Sequence, residues 1–328
     1  MTRRLTCRLE TWRLRQRFTI SRGSRTEARV LVVEIVEGTS RGRGEAVPYG
    51  RYGETPDSVE AQVRSVARAV EAGADRHRLA SLLHPGAARN AVDCALWDLE
   101  AKLRGRPVWQ LAGLPAPEPL VTAYTLGIDR PERMAEAARA VRDRPLLKIK
   151  LAGDGADLER VRAVRTAAPE ARLVVDANEA WNLATYEALA PRLGELGVAL
   201  LEQPFPAAED GNLAALPHPV PVCADESCHV TADLERLRDR YDFVNIKLDK
   251  TGGLTEALAL RQAARAAGFG VMVGCMVGTS LAMAPAFLVA QGADVVDLDG
   301  PLLLARDREP AIVYEGSRML PPPANLWG

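Results

Sequence analysis

Residues 146–202 contain three short apolar segments from which the fold can be predicted: LLKIK at 146–150, LVVD at 173–176 and VALLE at 198–202. Amphipathic segments with a helical spacing of apolar residues lie between them, at 157–168 and 184–196. Strands and helices that alternate in this way are typical of βαβ units, whose strands form a parallel sheet.

The same alternation extends over most of the chain. Five further strand-like segments occur, at 120–126, 220–225, 243–248, 271–275 and 295–298. Eight such units favour a closed (β/α)7β TIM-like barrel over an open doubly wound sheet. No Gly-x-Gly-x-x-Gly motif follows the first strand, which argues against dinucleotide binding. We therefore predict an α/β protein with a barrel over 116–310 and a C-terminal tail, 311–328, that packs back on the N-terminal domain.

The first part of the chain has a different pattern. The β-branched segment 29–37, ARVLVVEIV, is typical of a strand, and the alternating segments 5–14 and 18–20 can pair with it. Helical patterns follow at 58–72 and after Pro85. This order predicts an α+β domain over residues 1–115, with an antiparallel sheet first and helices after it.

Three carboxylates occupy equivalent positions in successive barrel units. Asp176, Glu202 and Asp225 each end a predicted strand, so the parallel arrangement points all three at one spot. Burying such a cluster without a partner would be costly, and a hard divalent cation such as Mg²⁺ would resolve the repulsion. Each residue taken alone could instead be a helix N-cap.

Lysines lie on two strands that face each other across the predicted barrel. Lys148 and Lys150 share one face of the second strand because strand side chains alternate, and their repulsion is expected to lower the pKa of at least one. Lys247 lies within the sixth strand, near its end, and we prefer it to Lys250, which lies nearer the loop. The alternative for Lys148 and Lys150 is a pair of solvated lysines on an edge strand.

Two further carboxylates end the eighth strand. Asp297 and Asp299 share one face by strand alternation and suit a cationic group of a substrate. The alternative interpretation of this pair is again a helix or loop cap.

Composition excludes several classes of function. The chain has 328 residues and a formal net charge of −1, so no global field attracts nucleic acid or an anionic membrane. No apolar run is long enough for a membrane span, and no signal peptide is recognisable. The 5 cysteines are scattered, unlike a disulfide framework. We expect a cytoplasmic protein with a small-molecule substrate, and leave assembly into a homo-oligomer open.

With these residues in hand, the chain resembles the enolase superfamily in its muconate-lactonising subgroup, and most closely the L-Ala-D/L-Glu epimerases. The likeness covers essentially the whole chain and includes SRGSR at 21–25, GAARNAVDCALWDLE at 86–100 and VNIKLDKTGGLTEA at 244–257. It implies a capping α+β domain on a (β/α)7β barrel, in agreement with the pattern above.

The resemblance also implies an activity and roles for individual residues. It implies Mg²⁺-dependent epimerisation of a dipeptide by a 1,1-proton transfer through an enediolate, within murein peptide metabolism. The implied metal ligands are Asp176, Glu202 and Asp225; Lys150 and Lys247 are the two bases, and Lys148 assists. The implied substrate-binding residues are Asp297 and Asp299, which bind the α-ammonium, with Arg22, Arg25, Tyr52 and Thr125.

Other reactions of the same subgroup use the same metal and lysines. They are o-succinylbenzoate synthesis, muconate cycloisomerisation and N-acylamino acid racemisation. A substrate without an ammonium group would be repelled by Asp297 and Asp299, which counts against all three. A barrel protein with a relic site is the non-enzymatic alternative, and metal-dependent turnover would exclude it.

Overall fold

The computed structural model describes residues 3–328, which form three sheets. The N-terminal sheet has three strands and the central sheet has eight, so the predicted α/β class with a small domain on a barrel is confirmed. Every helix within residues 3–328 falls short of the length and hydropathy that crossing a bilayer requires.

The N-terminal domain is an antiparallel sheet with helices on one face. Its strands and helices are β1 (Arg3–Ile20), β2 (Gly23–Glu37), β3 (Ser40–Ala46), α1 (Pro56–Glu71), α2 (Arg76–Ala80), α3 (Ala87–Arg104) and α4 (Val108–Leu111). Helix α1 presents valines at helical spacing to the sheet, and all of them are buried: Val59, Val63, Val66 and Val70. Helix α3 ends at Gly105, which adopts the left-handed conformation with φ 59°.

Helix α3 approaches β3 unusually closely. A Cβ atom at Gly42 or Gly44 would overlap the carbonyl oxygens of Ala95 and Ala91 on the helix. Glycine at these two positions therefore lets the helix lie directly on the strand backbone. This packing contributes to a core that is separate from the core of the barrel.

The barrel strands are parallel and follow one another in chain order around the sheet. They are β5 (Tyr124–Leu126), β6 (Leu146–Lys150), β7 (Arg172–Asp176), β8 (Val198–Glu202), β9 (Val222–Ala224), β10 (Phe243–Ile246), β11 (Gly270–Gly274) and β12 (Val295–Asp297). The Ala123 N–H donates to the Val296 carbonyl at 2.8 Å, which brings the first and last strands together. The helices around them are α5 (Pro131–Ala140), α6 (Asp157–Ala167), α7 (Leu183–Glu195), α8 (Leu234–Leu237), α9 (Leu248–Thr251), α10 (Leu254–Ala266), α11 (Ser280–Val289) and α12 (Gly300–Leu303).

The first predicted barrel strand is two strands. Residues 120–121 form β4 (Leu120–Val121), which pairs with β14 (Arg318–Met319) of the C-terminal hairpin, and only Tyr124–Leu126 joins the barrel. The other strand of that hairpin is β13 (Tyr314–Glu315). The chain changes sheets between them because the Thr122 N–H donates to the Ser317 carbonyl and the next N–H donates into the barrel. Apolar periodicity does not show such a change of partner.

The end of the chain contacts the N-terminal domain. The Trp327 indole N–H donates to the Cys94 carbonyl at 3.0 Å, and the Gly328 N–H donates to Asp98 Oδ1 at 2.7 Å. The Arg43 guanidinium donates to the Leu326 carbonyl at 2.5 Å. These contacts tie α3 and β3 to the tail, whereas the predicted domain boundaries at residues 115 and 310 stay predictions.

A buried carboxyl group joins the N-terminal domain to the barrel beside β10. Asp249 Oδ1 accepts a hydrogen bond from the Val47 N–H and another from Asn90 Nδ2, both at 2.9 Å. Burial raises the pKa of Asp249 to about 7. Folding therefore shifts the protonation equilibrium of Asp249 towards the neutral acid.

There is a pH range in which Asp249 is protonated in the folded chain but ionised in the unfolded chain. The free energy of unfolding should therefore fall as the pH rises through this range. That range runs from the unfolded value of about 4 up to about 7. We expect the free energy of unfolding of Asp249→Asn, taken relative to that of the natural chain, to increase by on the order of 2 kcal/mol when the pH is raised from ~5 to ~8. Urea unfolding of both proteins at the two pH values measures it, and parallel pH profiles would contradict it.

Candidate active site

Three carboxylates meet where β7, β8 and β9 end. Asp176 and Glu202 are direct neighbours in the parallel register, and Asp225 follows the next strand by one residue. Each offers a ligand oxygen, and these atoms lie within 4.8 Å of one another although the side chains are buried. The structure thus brings together the three predicted metal ligands.

This cluster suits a hard cation. Three carboxylate oxygens at the end of a barrel form the donor set that Mg²⁺ prefers, with open positions for water or substrate oxygen. Asn178 orients one ligand, since its N–H donates to Asp176 Oδ1 at 2.8 Å and its Nδ2 donates to Oδ2 at 3.1 Å. Asn245 Nδ2 orients another by donating to Glu202 Oε1 at 2.8 Å.

Lysine ammonium groups surround the cluster and set its electrostatics. Burial alone would raise the pKa of Asp176, but Lys150 and Lys148 lower it to about 2. Burial and Asp176 raise the pKa of Glu202 to about 6. Against burial, Lys247 and Lys250 hold the pKa of Asp225 well below its usual range. The three carboxylates are therefore largely ionised at neutral pH, which is the form that coordinates a cation.

Lys148 lies among carboxylates. Its Nζ is 2.6 Å from Glu202 Oε2 and 2.7 Å from Asp297 Oδ2. Burial would lower the pKa of Lys148, but Asp297, Glu202 and Asp176 raise it well above its ordinary value. Lys148 is therefore not a lysine whose pKa is lowered by repulsion, because its attraction to the carboxylates exceeds its repulsion from Lys150.

Lys150 and Lys247 approach one space from opposite sides. Lys150 is on the second barrel strand and Lys247 directly follows the sixth, with Nζ atoms 2.5 Å from Asp176 Oδ2 and 2.6 Å from Asp225 Oδ2. Lys247 lies one residue past β10, not within the strand, but its backbone is still extended, with φ −124° and ψ 131°. Gly274 leaves room for it, since a Cβ there would lie 3.1 Å from Lys247 Cε.

Lys250 has a different environment. It lies in α9, and its Nζ donates to Asp225 Oδ1 at 2.7 Å and to the carbonyls of Asp225 and Asn245 at 2.5 and 2.8 Å. Lys247 lines the cavity described next, and Lys250 does not. The geometry therefore agrees with the preference for Lys247 over Lys250.

A cavity of about 90 Å³ lies between the barrel mouth and the N-terminal domain. Six of the predicted site residues line it: Arg22, Arg25, Tyr52, Lys150, Asp225 and Lys247. Because both lysines and a carboxylate of the cluster border the same space, a small molecule bound there can be reached by two proton-transfer groups at once.

The predicted ammonium-binding residues lie beside the cluster and do not line this cavity. Thr125 connects the two carboxylates: its N–H donates to Asp299 Oδ2 at 2.6 Å and its Oγ1 is 3.4 Å from Asp297 Oδ1. Burial and Asp297 raise the pKa of Asp299 to about 7. Asp297 is already paired with Lys148, so the two carboxylates are not equivalent.

The two predicted arginines, Arg22 and Arg25, also differ in whether they are already paired. Arg22 donates to the carboxylates of Glu179 and Glu226, to the Asn178 carbonyl and to the Tyr49 hydroxyl. Arg25 has no ion pair within residues 3–328, and its guanidinium lies 5.3 Å from the centroid of the Tyr49 ring. Tyr52 stacks edge-on against His229, with ring centroids 4.6 Å apart.

Sequence reasoning missed three residues that shape this site. Glu226 is buried beside the cavity, Asn178 holds Asp176, and Glu179 receives two arginines of the N-terminal domain. Each follows a predicted metal ligand within three residues in DANE at 176–179 and ADES at 224–227. A polar residue within three positions of a strand-end carboxylate was the available signal.

Comparison with known proteins places both parts of the chain. The family described as "Mandelate racemase / muconate lactonizing enzyme, N-terminal domain" matches residues 2–113, and the family "Enolase C-terminal domain-like" matches residues 133–322. The chain is 50% identical to the L-Ala-D/L-Glu epimerase of Escherichia coli (strain K12), over 93% of this chain and 95% of that protein. It is 45% identical to an N-acetyl-D-glutamate racemase of a Pseudoalteromonas species, over 91% and 95%.

Solved structures of similar fold show the same relationship to dipeptide epimerases. An enolase family member from Agrobacterium tumefaciens with homology to dipeptide epimerases, bound to sodium and L-Ala-L-Glu, has a TM-score of 0.97 and 54% identity, covering 99% of this chain and 100% of that one. A dipeptide epimerase from Enterococcus faecalis, complexed with Mg and L-Leu-L-Tyr, has a TM-score of 0.90 and 29% identity, covering 98% of both. The predicted relationship to the dipeptide epimerases is confirmed, and the chain belongs to the mandelate racemase / muconate lactonizing enzyme group of the enolase superfamily.

Proposed function

We propose that this enzyme epimerises a dipeptide, with L-Ala-D/L-Glu as the substrate pair. One observation carries the proposal: Lys150 and Lys247 border one cavity from opposite barrel strands, next to a triad of carboxylates. Inversion of a carbon centre by proton transfer requires a group that removes a proton from one face and a group that supplies one to the other. The relatives that bind or act on dipeptides support this choice of substrate.

The residues of the chain divide the chemistry between them. Asp176, Glu202 and Asp225 would hold Mg²⁺, which supplies Lewis-acid stabilisation of the negative charge that develops on the substrate carboxylate. Lys150 or Lys247 removes the proton of the substrate α-carbon, and the other lysine returns a proton on the opposite face. Lys148 assists by placing a positive charge beside Glu202 and Asp297.

The acidic side chain of the substrate requires a cation on the other side of the cavity. Arg25 lines the cavity and has no ion pair within residues 3–328, so its guanidinium can pair with a glutamate side chain. Tyr52 borders the same space. We further propose that the dipeptide comes from murein peptides and that the reaction takes place in the cytoplasm.

Racemisation of an N-acylamino acid is the second candidate. It is favoured by the 45% identical N-acetyl-D-glutamate racemase and by the Asp297–Lys148 ion pair, which already neutralises one predicted ammonium ligand. An ammonium group, by contrast, would pair with Asp299 and with the remaining acceptor capacity of Asp297.

A comparison of L-Ala-L-Glu with N-acetyl-L-Ala-L-Glu and N-acetyl-L-Glu distinguishes the candidates. In D₂O with Mg²⁺, the free dipeptide should gain deuterium at the glutamate α-carbon and form L-Ala-D-Glu. Acetylation removes the cation that Asp299 and Asp297 require, so kcat/KM should fall roughly 10²–10³-fold. In the Asp297→Asn variant, the difference in kcat/KM between the free and the acetylated dipeptide should be smaller. Equal turnover of free and acetylated dipeptide, or faster turnover of N-acetyl-L-Glu, would contradict the ammonium role.

A further inference from the structure

We propose that Arg22 is a positioning residue that fastens the β1–β2 hairpin tip (residues 20–25) to the barrel, and that it does not bind the substrate. A guanidinium has five N–H donors. In Arg22, Nε donates to Tyr49 Oη, Nη1 donates to the Asn178 carbonyl and Glu179 Oε2, and Nη2 donates to Tyr49 Oη and Glu226 Oε1. These five contacts leave no donor for a ligand. The inference rests on the proposed function only where it concerns the substrate.

Arg22 reaches the metal ligands through one intermediate residue. Its Nη1 is 2.9 Å from the Asn178 carbonyl, to which Ser21 Oγ also donates at 3.1 Å. The Asn178 side chain in turn donates to Asp176 Oδ2 at 3.1 Å. Closure of the hairpin tip is thereby coupled to the orientation of a metal ligand.

The barrel turn that contains Asn178 and Glu179 contacts a second loop of the N-terminal domain in addition to Arg22. Arg51, from the segment after β3, pairs with Glu179 through Nε at 2.6 Å and Nη2 at 2.7 Å. Glu179 also accepts from the Ala207 N–H at 2.9 Å, which holds its carboxylate in place. Asn178 and Glu179 both have positive φ, 44° and 67°, so the turn presents its carbonyl and carboxylate towards the N-terminal domain.

The ion pair with Glu226 contributes most to holding Arg22, and with it the hairpin tip, on the barrel. Its side chain is buried, its Oε1 is 2.6 Å from Arg22 Nη2, and it directly follows the ligand Asp225. A charge-assisted pair on a buried carboxylate is stronger than a solvent-exposed ion pair. Loss of Arg22 would leave this carboxylate unpaired at the edge of the cavity.

Arg25 is the matched control because it lies on the same hairpin tip and lines the same cavity without a barrel partner in residues 3–328. Arg22→Ala should reduce kcat for L-Ala-L-Glu and L-Ala-L-Gln by the same factor, about 10–100-fold, because a mispositioned site affects both substrates. The ratio of their kcat/KM values should stay within about threefold of the natural enzyme. Arg25→Ala should reduce that ratio by at least about tenfold, because the lost cation serves only the glutamate side chain.

Hydrogen exchange without substrate tests the fastening independently of turnover. Amide exchange in peptides covering residues 18–27 should be at least about tenfold faster in Arg22→Ala than in the natural enzyme or Arg25→Ala, because the tip opens more often. Arg22→Lys, which keeps the charge but has fewer donors, should lie between them. Unchanged exchange in Arg22→Ala overturns the fastening, and loss of the Glu-over-Gln preference in that variant overturns the exclusion from binding. If the natural enzyme does not epimerise L-Ala-L-Glu, the proposed function fails while the exchange result still decides the role of Arg22.

Discussion

Lys150→Ala and Lys247→Ala should each fail to invert the glutamate centre of L-Ala-L-Glu, with epimerisation reduced at least about 10³-fold. Each variant should nevertheless exchange the α-proton of one epimer with solvent. The reason is that the two lysines reach the cavity from opposite barrel strands, so each serves one face of the α-carbon. Removing one lysine leaves the other able to take a proton and return it to the same face.

The measurement is deuterium uptake from D₂O, followed separately for L-Ala-L-Glu and L-Ala-D-Glu. The two variants should show opposite preferences, one exchanging the L,L and the other the L,D dipeptide. Lys250→Met is the matched control, because Lys250 holds Asp225 but does not line the cavity. It should slow exchange from both epimers equally. One-sided exchange in Lys250→Met, or two-sided exchange in Lys247→Ala, would reassign the second base.

The convergence of Asp176, Glu202 and Asp225 was predictable from the sequence because equivalent positions of successive parallel strands lie at the same end of the barrel. Once Asp176 and Glu202 each end a strand of successive βα units, the register makes them neighbours, as observed. Lys150 followed from the same logic. The strand β10 ends two residues before the predicted end at residue 248, but the backbone of Lys247 remains extended, so the assignment of Lys247 stays a prediction that does not depend on where the strand ends.

The partners of the hairpin tip were not predictable in this way. Arg22 meets Glu226 and Asn178 across sequence separations of 204 and 156 residues, and no periodicity relates loops of two domains. The raised pKa of Lys148 was not predictable for a related reason. Repulsion between Lys148 and Lys150 is visible in the sequence, whereas the stronger attraction of Lys148 to Asp297 appears only when the eighth strand closes the barrel.

Glu202→Gln should weaken Mg²⁺ binding at least about tenfold and remove epimerisation almost completely, by roughly 10³-fold or more. Glu202 is fully buried, with Oε1 2.8 Å from Asn245 Nδ2 and Oε2 2.6 Å from Lys148 Nζ. Glutamine has the same shape and can keep the bond from Asn245, but its amide nitrogen would face the Lys148 ammonium donor to donor. One negative charge and one ligand oxygen are lost together.

Calorimetric Mg²⁺ titration and turnover after chelation measure these effects. A chelator should abolish the activity of the natural enzyme, and added Mg²⁺ should restore it. Asp98→Asn is the matched control, since Asp98 is a fully buried carboxylate in α3 that accepts bonds from Arg43 and Gly328 and lies outside the triad. It should reduce stability but leave Mg²⁺ affinity within about threefold, because it changes no ligand. Full turnover in chelator, or natural Mg²⁺ affinity in Glu202→Gln, would show that the three strand-end carboxylates serve to neutralise the lysines and do not form the metal site.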